Sequence, residues 1–141
     1  MTRIFSYGTF RSPYVQRRLF GHEIPAEDAV LEGYAVFAGA DGYHGLLPCP
    51  HAAVTGSILN LNDREMEIAD GWEICPQMYI RREMPVSIDG TPERAWVYFR
   101  ADSFKPGKRI EDNGLLCTLP QEQLERELDE YTEELKMKGL S

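Results

Sequence analysis

The stretch from Met78 to Phe99 constrains the fold more than any other part of the chain. "MYIRREMPVSI" puts Met78, Ile80, Met84, Val86 and Ile88 on one face, interrupted only by Arg82, and Tyr79, Arg81 and Glu83 on the other. A period of two is the mark of a half-buried strand. Asp89-Gly90 then supplies a hairpin turn, and "ERAWVYF" at 93–99 returns as the second strand. Pro85 lacks a ladder donor, so that point belongs at an edge or a bulge. An isolated hairpin is at best marginal in water, so the chain must find further strands to cover this one.

Three other segments qualify. Ile4 to Tyr7 reads as a short first strand, "AVLEGYAVFAG" at 29–39 as a strand with a bulge at Gly33, and "AVTGSILNL" at 53–61 as a third. The intervening "ADGYHGLLPCP" is dense in turn residues and reads as a loop. Helix signals are fewer but sharp. Ser12-Pro13 is an N-cap followed by proline at the first helical position, and Gly21 and Pro25 end that segment. Asn62 to Glu65 has capping-box spacing before Met66, Ile68 and Ala69. Near the C-terminus Thr118 and Gln121 have the same spacing, and Leu124, Leu128, Tyr131 and Leu135 follow at helical intervals. Lys136, Lys138 and Gly139 suit that helix's end. The pattern predicts an α+β fold: a small, mostly antiparallel β-barrel core, short flanking helices and a C-terminal amphipathic helix. Residues 1–118 are read as the domain and 119–141 as its helical extension.

A net charge of −8 argues against a general nucleic-acid or anionic-membrane binder. No apolar run approaches the roughly 20 residues that span a bilayer. Cys49, Cys75 and Cys117 are widely spaced, and the N-terminus has no apolar leader pattern, so a cytoplasmic protein with free thiols is expected. His22, His44 and His51 are too scattered for a four-ligand metal set, and no glycine-rich nucleotide cradle or nucleophile elbow occurs. Neither metal nor cofactor is expected.

Two stretches hold candidate chemistry. "FSYGTFRSP" joins a strand to a helix through Tyr7-Gly8-Thr9, which is either a plain connection or a set of backbone N–H groups facing a ligand. "DGWEICPQMYIRR" sets Glu73 beside Trp72 at a helix end, ahead of Tyr79 and Arg81 on one strand face. A carboxyl against an aromatic ring has its pKa raised and can serve as a base or acid near neutral pH. On those residues alone, a solvated glutamate ending a helix is the plainer reading.

Taken together the two stretches resemble the γ-glutamylcyclotransferase-like superfamily. Its members begin with a strand and Tyr-Gly-Thr/Ser-Leu, and carry Asp-x-aromatic-Glu-Gly followed by Tyr-x-Arg. Asp70, Trp72, Glu73, Tyr79 and Arg81 match the second pattern, and "GYHGLLP" is similar to the family's Gly-Tyr-Pro-x-Leu-x-Pro loop. The Glu-x-Cys-Pro-x-x-Tyr-x-Arg spacing is closest to the γ-glutamylamine cyclotransferase, AIG2-like branch. The likeness spans residues 3–100 and leaves the terminal helix outside. Phe10, Ile74 and His44 stand where many members have leucine, glycine and proline.

The resemblance implies a cyclotransferase that closes a γ-glutamyl amide to 5-oxoproline and releases an amine or amino acid, without a cofactor. Glu73 would be the general acid/base. Tyr7, Gly8, Thr9 and Phe10, with Gly42, Tyr43 and Tyr79, would bind the substrate. Arg81 is expected to pair with Asp70. Three other readings stay open: a non-catalytic small-molecule-binding domain of the same fold, a γ-glutamyl-removing deblocking enzyme, and an acidic adaptor whose terminal helix binds a partner. Assembly of copies through that helix is open too.

Overall fold

The computed structural model describes residues 1–101, 104–111 and 117–140. Six strands form: β1 (Thr2–Ser6), β2 (Ala26–Gly39), β3 (His44–Leu61), β4 (Tyr79–Ile88), β5 (Thr91–Arg100) and β6 (Pro106–Ile110). Their order is β3-β1-β5-β4-β2-β6, and a further pairing of β2 with β3 closes the first five into a ring. This is the expected α+β architecture with a small β-barrel at its centre. Every pairing is antiparallel except β1 with β5, where Ile4 lies opposite Trp96 and Phe5 opposite Val97. The ring has a weak seam, because β2 meets β4 in the single pair Val30–Ser87. Pro85 lies beside that seam, where a missing ladder donor is cheap.

Alternation along the strands sorts the core into two parts. Phe5, Ile58, Val97 and Phe99 point into the barrel. Their neighbours Ile4, Leu59 and Tyr98 point outward, under the helices. Buried on both faces, β1, the end of β3 and β5 read as nearly continuous apolar runs. The outward layer is covered by α1 (Pro13–Phe20), α2 (Asp63–Trp72) and α3 (Gln121–Lys138). Leu128 and Leu135 of α3 join the same cluster as Phe10, Leu19 and Ile68. Among the described residues no helix is long and apolar enough to cross a membrane.

The local signals behave as their chemistry demands. Ser12 accepts from the Val15 N–H, and Asn62 and Glu65 exchange both bonds of a capping box. The register between β2 and β3 shifts at Gly33, whose φ of +84° suits glycine. Asp89 and Gly90 both take positive φ in the β4–β5 turn. Gly139 caps α3 in the left-handed conformation.

Two expectations are corrected. Residues 44–50 are not a loop: they begin β3, because β2 is long enough to pair with them from Ala38–His44 to Tyr34–Pro48. Pro48 is tolerated there because it adjoins the bulge. The capping box at Thr118 does not form; its hydroxyl is 2.9 Å from His44 Nε2, and α3 starts after Pro120 with no side-chain cap. β6 escaped notice because "PGKRI" is polar and largely exposed.

The packing of β1 on β3 is tight at Gly56, where an added Cβ would sit 2.5 Å from the Ser6 carbonyl oxygen and 2.6 Å from the Phe5 ring. Backbone cannot yield as a flexible side chain can. Gly56→Ala should therefore destabilise the fold by roughly 1–3 kcal/mol, measured by urea denaturation.

Candidate active site

A cavity of about 80 Å³ lies at the end of the barrel. The turn after β1, the end of α2, the β2–β3 turn and the segment entering α3 meet around it. Tyr7, Gly8, Thr9, Phe10, Tyr43, Glu73 and Tyr79 line this space, brought together from distant parts of the chain. Gly42 does not line it. With φ +86° it turns the backbone outward, and a Cβ there would lie 2.8 Å from Leu119 Cδ2. Its carbonyl accepts the Thr118 N–H at 3.1 Å, so it fastens the β2–β3 turn to the segment leading into α3.

Glu73 closes α2, its N–H bonding the Ala69 carbonyl at 3.0 Å. The next residue, Ile74, has φ +53°, a conformation that is strained for a β-branched side chain and bends the chain sharply after Glu73. Asp70, one helical turn earlier, is gripped by a guanidinium fork: Arg81 Nε reaches Oδ1 at 2.9 Å and its Nη2 reaches Oδ2 at 3.0 Å. Tyr98 donates to the same carboxylate at 2.6 Å. The expected Arg81–Asp70 pair thus ties α2 to β4 and β5. Trp72 adds a third tether, donating from Nε1 to Thr9 Oγ1 at 3.0 Å. α2 and the turn after β1 are held in register across the cavity.

The Glu73 carboxyl receives no side-chain hydrogen bond among the described residues. Burial raises its pKa to about 8, partly offset by the Arg100 guanidinium, with Asp70 adding to the rise. A group poised there changes charge close to neutral pH.

The two lining tyrosines have their donors committed. Tyr7 donates to the Tyr98 carbonyl at 2.6 Å, and Tyr79 to the His44 carbonyl at 2.5 Å. What their hydroxyls keep for a ligand is acceptor capacity. The turn after β1 supplies the opposite polarity. Thr9–Arg11 forms one 3-10 turn ahead of α1, and the N–H groups of Thr9 and Phe10 bond no group among the described residues. The Gly8 N–H is taken by Ser6 Oγ at 3.3 Å.

Sequence reasoning missed most of the far wall. His44, Cys117, Leu119, Leu124 and Glu127 also line the cavity. His44 is 4% exposed; burial lowers its pKa, and its Nδ1 has no partner. Tyr43 donates to Glu127 Oε1. His44 belongs to the "GYHGLLP" stretch, but the other four carry no local motif: Glu127 sits among other helix glutamates and reaches the cavity only through the packing of α3. Arg100 was missed as well. It stacks 5.3 Å from the Tyr79 ring centre and pairs with Asp41 at 2.8 Å. Its signal was the period of two that sets it on the same face as Tyr98.

A family model described as "Gamma-glutamyl cyclotransferase, AIG2-like" matches residues 4–117. The chain belongs to this family. No functionally curated protein sequence matches the chain. Solved structures show the same fold at low identity. A mouse AIG2-like protein is 22% identical with a TM-score of 0.62, over 86% of this chain and 97% of that one. A structure named "Gamma-glutamyl cyclotransferase" is 15% identical with a TM-score of 0.64, over 96% and 86%. A protein from Arabidopsis thaliana is 19% identical with a TM-score of 0.62, over 99% and 81%. The family match stops before α3, so this chain's Leu124 and Glu127 lie beyond it.

The raised pKa of Glu73 has a consequence for stability. The carboxyl ionises near its ordinary 4.5 when unfolded and at about 8 when folded. Between those values the folded state holds the extra proton, so stability contributed by protonated Glu73 is lost as pH rises toward 8. The urea midpoint of the wild type should fall relative to that of Glu73→Gln between pH 5 and pH 9. Parallel curves for the two proteins would contradict the burial of this carboxyl.

Proposed function

We propose that the protein is a cyclotransferase acting on γ-glutamyl amides, with Glu73 as its acid/base. The observation that carries this reading is the Glu73 carboxyl with its pKa of about 8, set in one small cavity with the unbonded N–H groups of Thr9 and Phe10. The γ-glutamyl unit offers matching groups: an ammonium, a carboxylate and an amide carbonyl. Ionised Glu73 and the acceptor oxygens of Tyr7 and Tyr79 suit the ammonium. The two N–H groups suit the carboxylate or the oxyanion that develops at the carbonyl.

The reaction follows from that pairing. Glu73 removes a proton from the α-ammonium, and the freed nitrogen attacks the γ-carbonyl carbon. A carbon–nitrogen bond forms and closes a five-membered ring, with negative charge gathering on the carbonyl oxygen. As the intermediate collapses, the amide carbon–nitrogen bond breaks, Glu73 returns the proton to the departing amine, and the ring nitrogen gives up its second proton, so that the amine leaves as an ammonium. One 5-oxoproline and one amine result, and no water is consumed. Attack within one molecule removes most of the entropic cost of bringing the reacting atoms together. A base with a pKa near the working pH is matched to this proton shuttle.

The test is 5-oxoproline release across γ-glutamyl amines, γ-glutamyl amino acids and glutathione. Glu73→Gln should keep the fold and lose about 10²–10⁴-fold in kcat/KM on whichever compound is turned over. For the wild type, kcat/KM should climb with pH to an inflection near the Glu73 pKa of about 8. Undiminished turnover by the variant would remove Glu73 from the mechanism. A blank across all substrate classes would overturn the enzyme reading.

A further inference from the structure

The second carboxyl of the cavity has no role in the reaction just described. Glu127 comes from α3, outside the segment that the family model matches. Tyr43 donates to Oε1, while Oε2 is buried and bonds nothing among the described residues. A buried carboxylate oxygen without a donor is costly. Burial and the neighbouring Glu130 raise the Glu127 pKa. Glu73 enters the cavity from the end of α2 and Glu127 from α3, and Leu119 and Leu124 are also on its wall.

We propose that Glu127, oriented by Tyr43, is a specificity-determining residue that binds a cationic nitrogen on the leaving amine, making the preferred substrates γ-glutamyl derivatives of diamines or similar amines with a second, charged nitrogen. This rests on the cyclotransferase reading above. An ammonium group supplies the donor that Oε2 lacks, and its charge compensates a carboxylate that burial disfavours. The apolar side chains of Leu119 and Leu124 suit the alkyl segment that separates the two nitrogens. Rotation about the last side-chain bond of a glutamate is broad, so the carboxyl can turn to meet the cation while Tyr43 holds one oxygen.

The experiment compares two amides of one shape: the γ-glutamyl monoamide of 1,4-diaminobutane, and γ-glutamyl-pentylamine, in which a methyl replaces the ammonium. The wild type should favour the diamine compound by about tenfold or more in kcat/KM, as a charge-assisted hydrogen bond implies. Glu127→Gln should bring that ratio close to one. Tyr43→Phe removes the group that orients the carboxylate and should lower the preference without abolishing it, which keeps the proposal testable if the Glu127 variant fails to fold; an undiminished preference in Tyr43→Phe would remove Tyr43 from it. A wild-type ratio near one, or an unchanged ratio in Glu127→Gln, would overturn the proposal. If neither amide is cyclised but another γ-glutamyl compound is, the cyclotransferase reading stands and the proposal is overturned. If no γ-glutamyl compound is turned over, that reading fails by itself, and calorimetric binding of free 1,4-diaminobutane against pentylamine decides the subsite. Diamine-selective binding lost in Glu127→Gln supports it; equal or absent binding of the two amines overturns it.

Discussion

The Asp70 carboxylate is the joint on which the site depends. Arg81 of β4 holds it by a fork and Tyr98 of β5 by a hydroxyl, so the last turn of α2 is fixed to two adjacent strands at once. The Tyr98 carbonyl in turn accepts from Tyr7, at the mouth of β1. One chain of polar contacts thus runs from the helix that carries Glu73 to the turn that carries Thr9 and Phe10. Networks of this sort specify geometry more than they add stability, because each member has given up water to join. Here the geometry specified is the placing of an unbonded carboxyl across a cavity from unbonded N–H groups.

That division of polarity gives the cavity its character. On the Glu73 side the fixed groups are acceptors: a carboxyl and two phenolic oxygens whose protons already point at backbone carbonyls. On the side of the turn after β1 they are backbone donors. A ligand with an ammonium at one end and a carboxylate or polarised carbonyl nearby meets both demands. Arg100 acts from behind, stacked on Tyr79 and paired with Asp41, and moderates the rise in the Glu73 pKa without lining the cavity.

The barrel was legible in the sequence because its strands alternate and its turns carry their own chemistry. Asp89-Gly90 and Gly33 announced backbone conformations that few other residues adopt, and Asn62 with Glu65 announced a helix start. The same is true of Tyr7 to Phe10 and of Glu73, whose neighbours form recognisable short patterns. What stayed hidden was set by contacts between distant segments. Thr118 looked like a cap but bonds His44 across the cavity, a choice made by tertiary packing rather than local spacing. Pro48 and Pro50 read as a loop because proline opposes a ladder, yet the register shift opposite Gly33 leaves residues 49–52 out of the pairing and makes room for them. Glu127 is one of several glutamates on α3, and only the docking of that helix singles it out.

α3 is more than a cover for the outer face of the barrel. Tyr131 donates to the Ile68 carbonyl at 2.6 Å, its ring lies 5.7 Å from that of Trp72, and its hydroxyl would be 2.3 Å from a Cβ at Gly71. Gly71 is thus the socket for a tyrosine sixty positions later in the chain. In the history of such sequences the two positions are not free to drift apart: a larger residue at the socket demands a shorter one on the helix. Pairwise exchange at these positions across relatives would mark those in which α3 is docked in the same place.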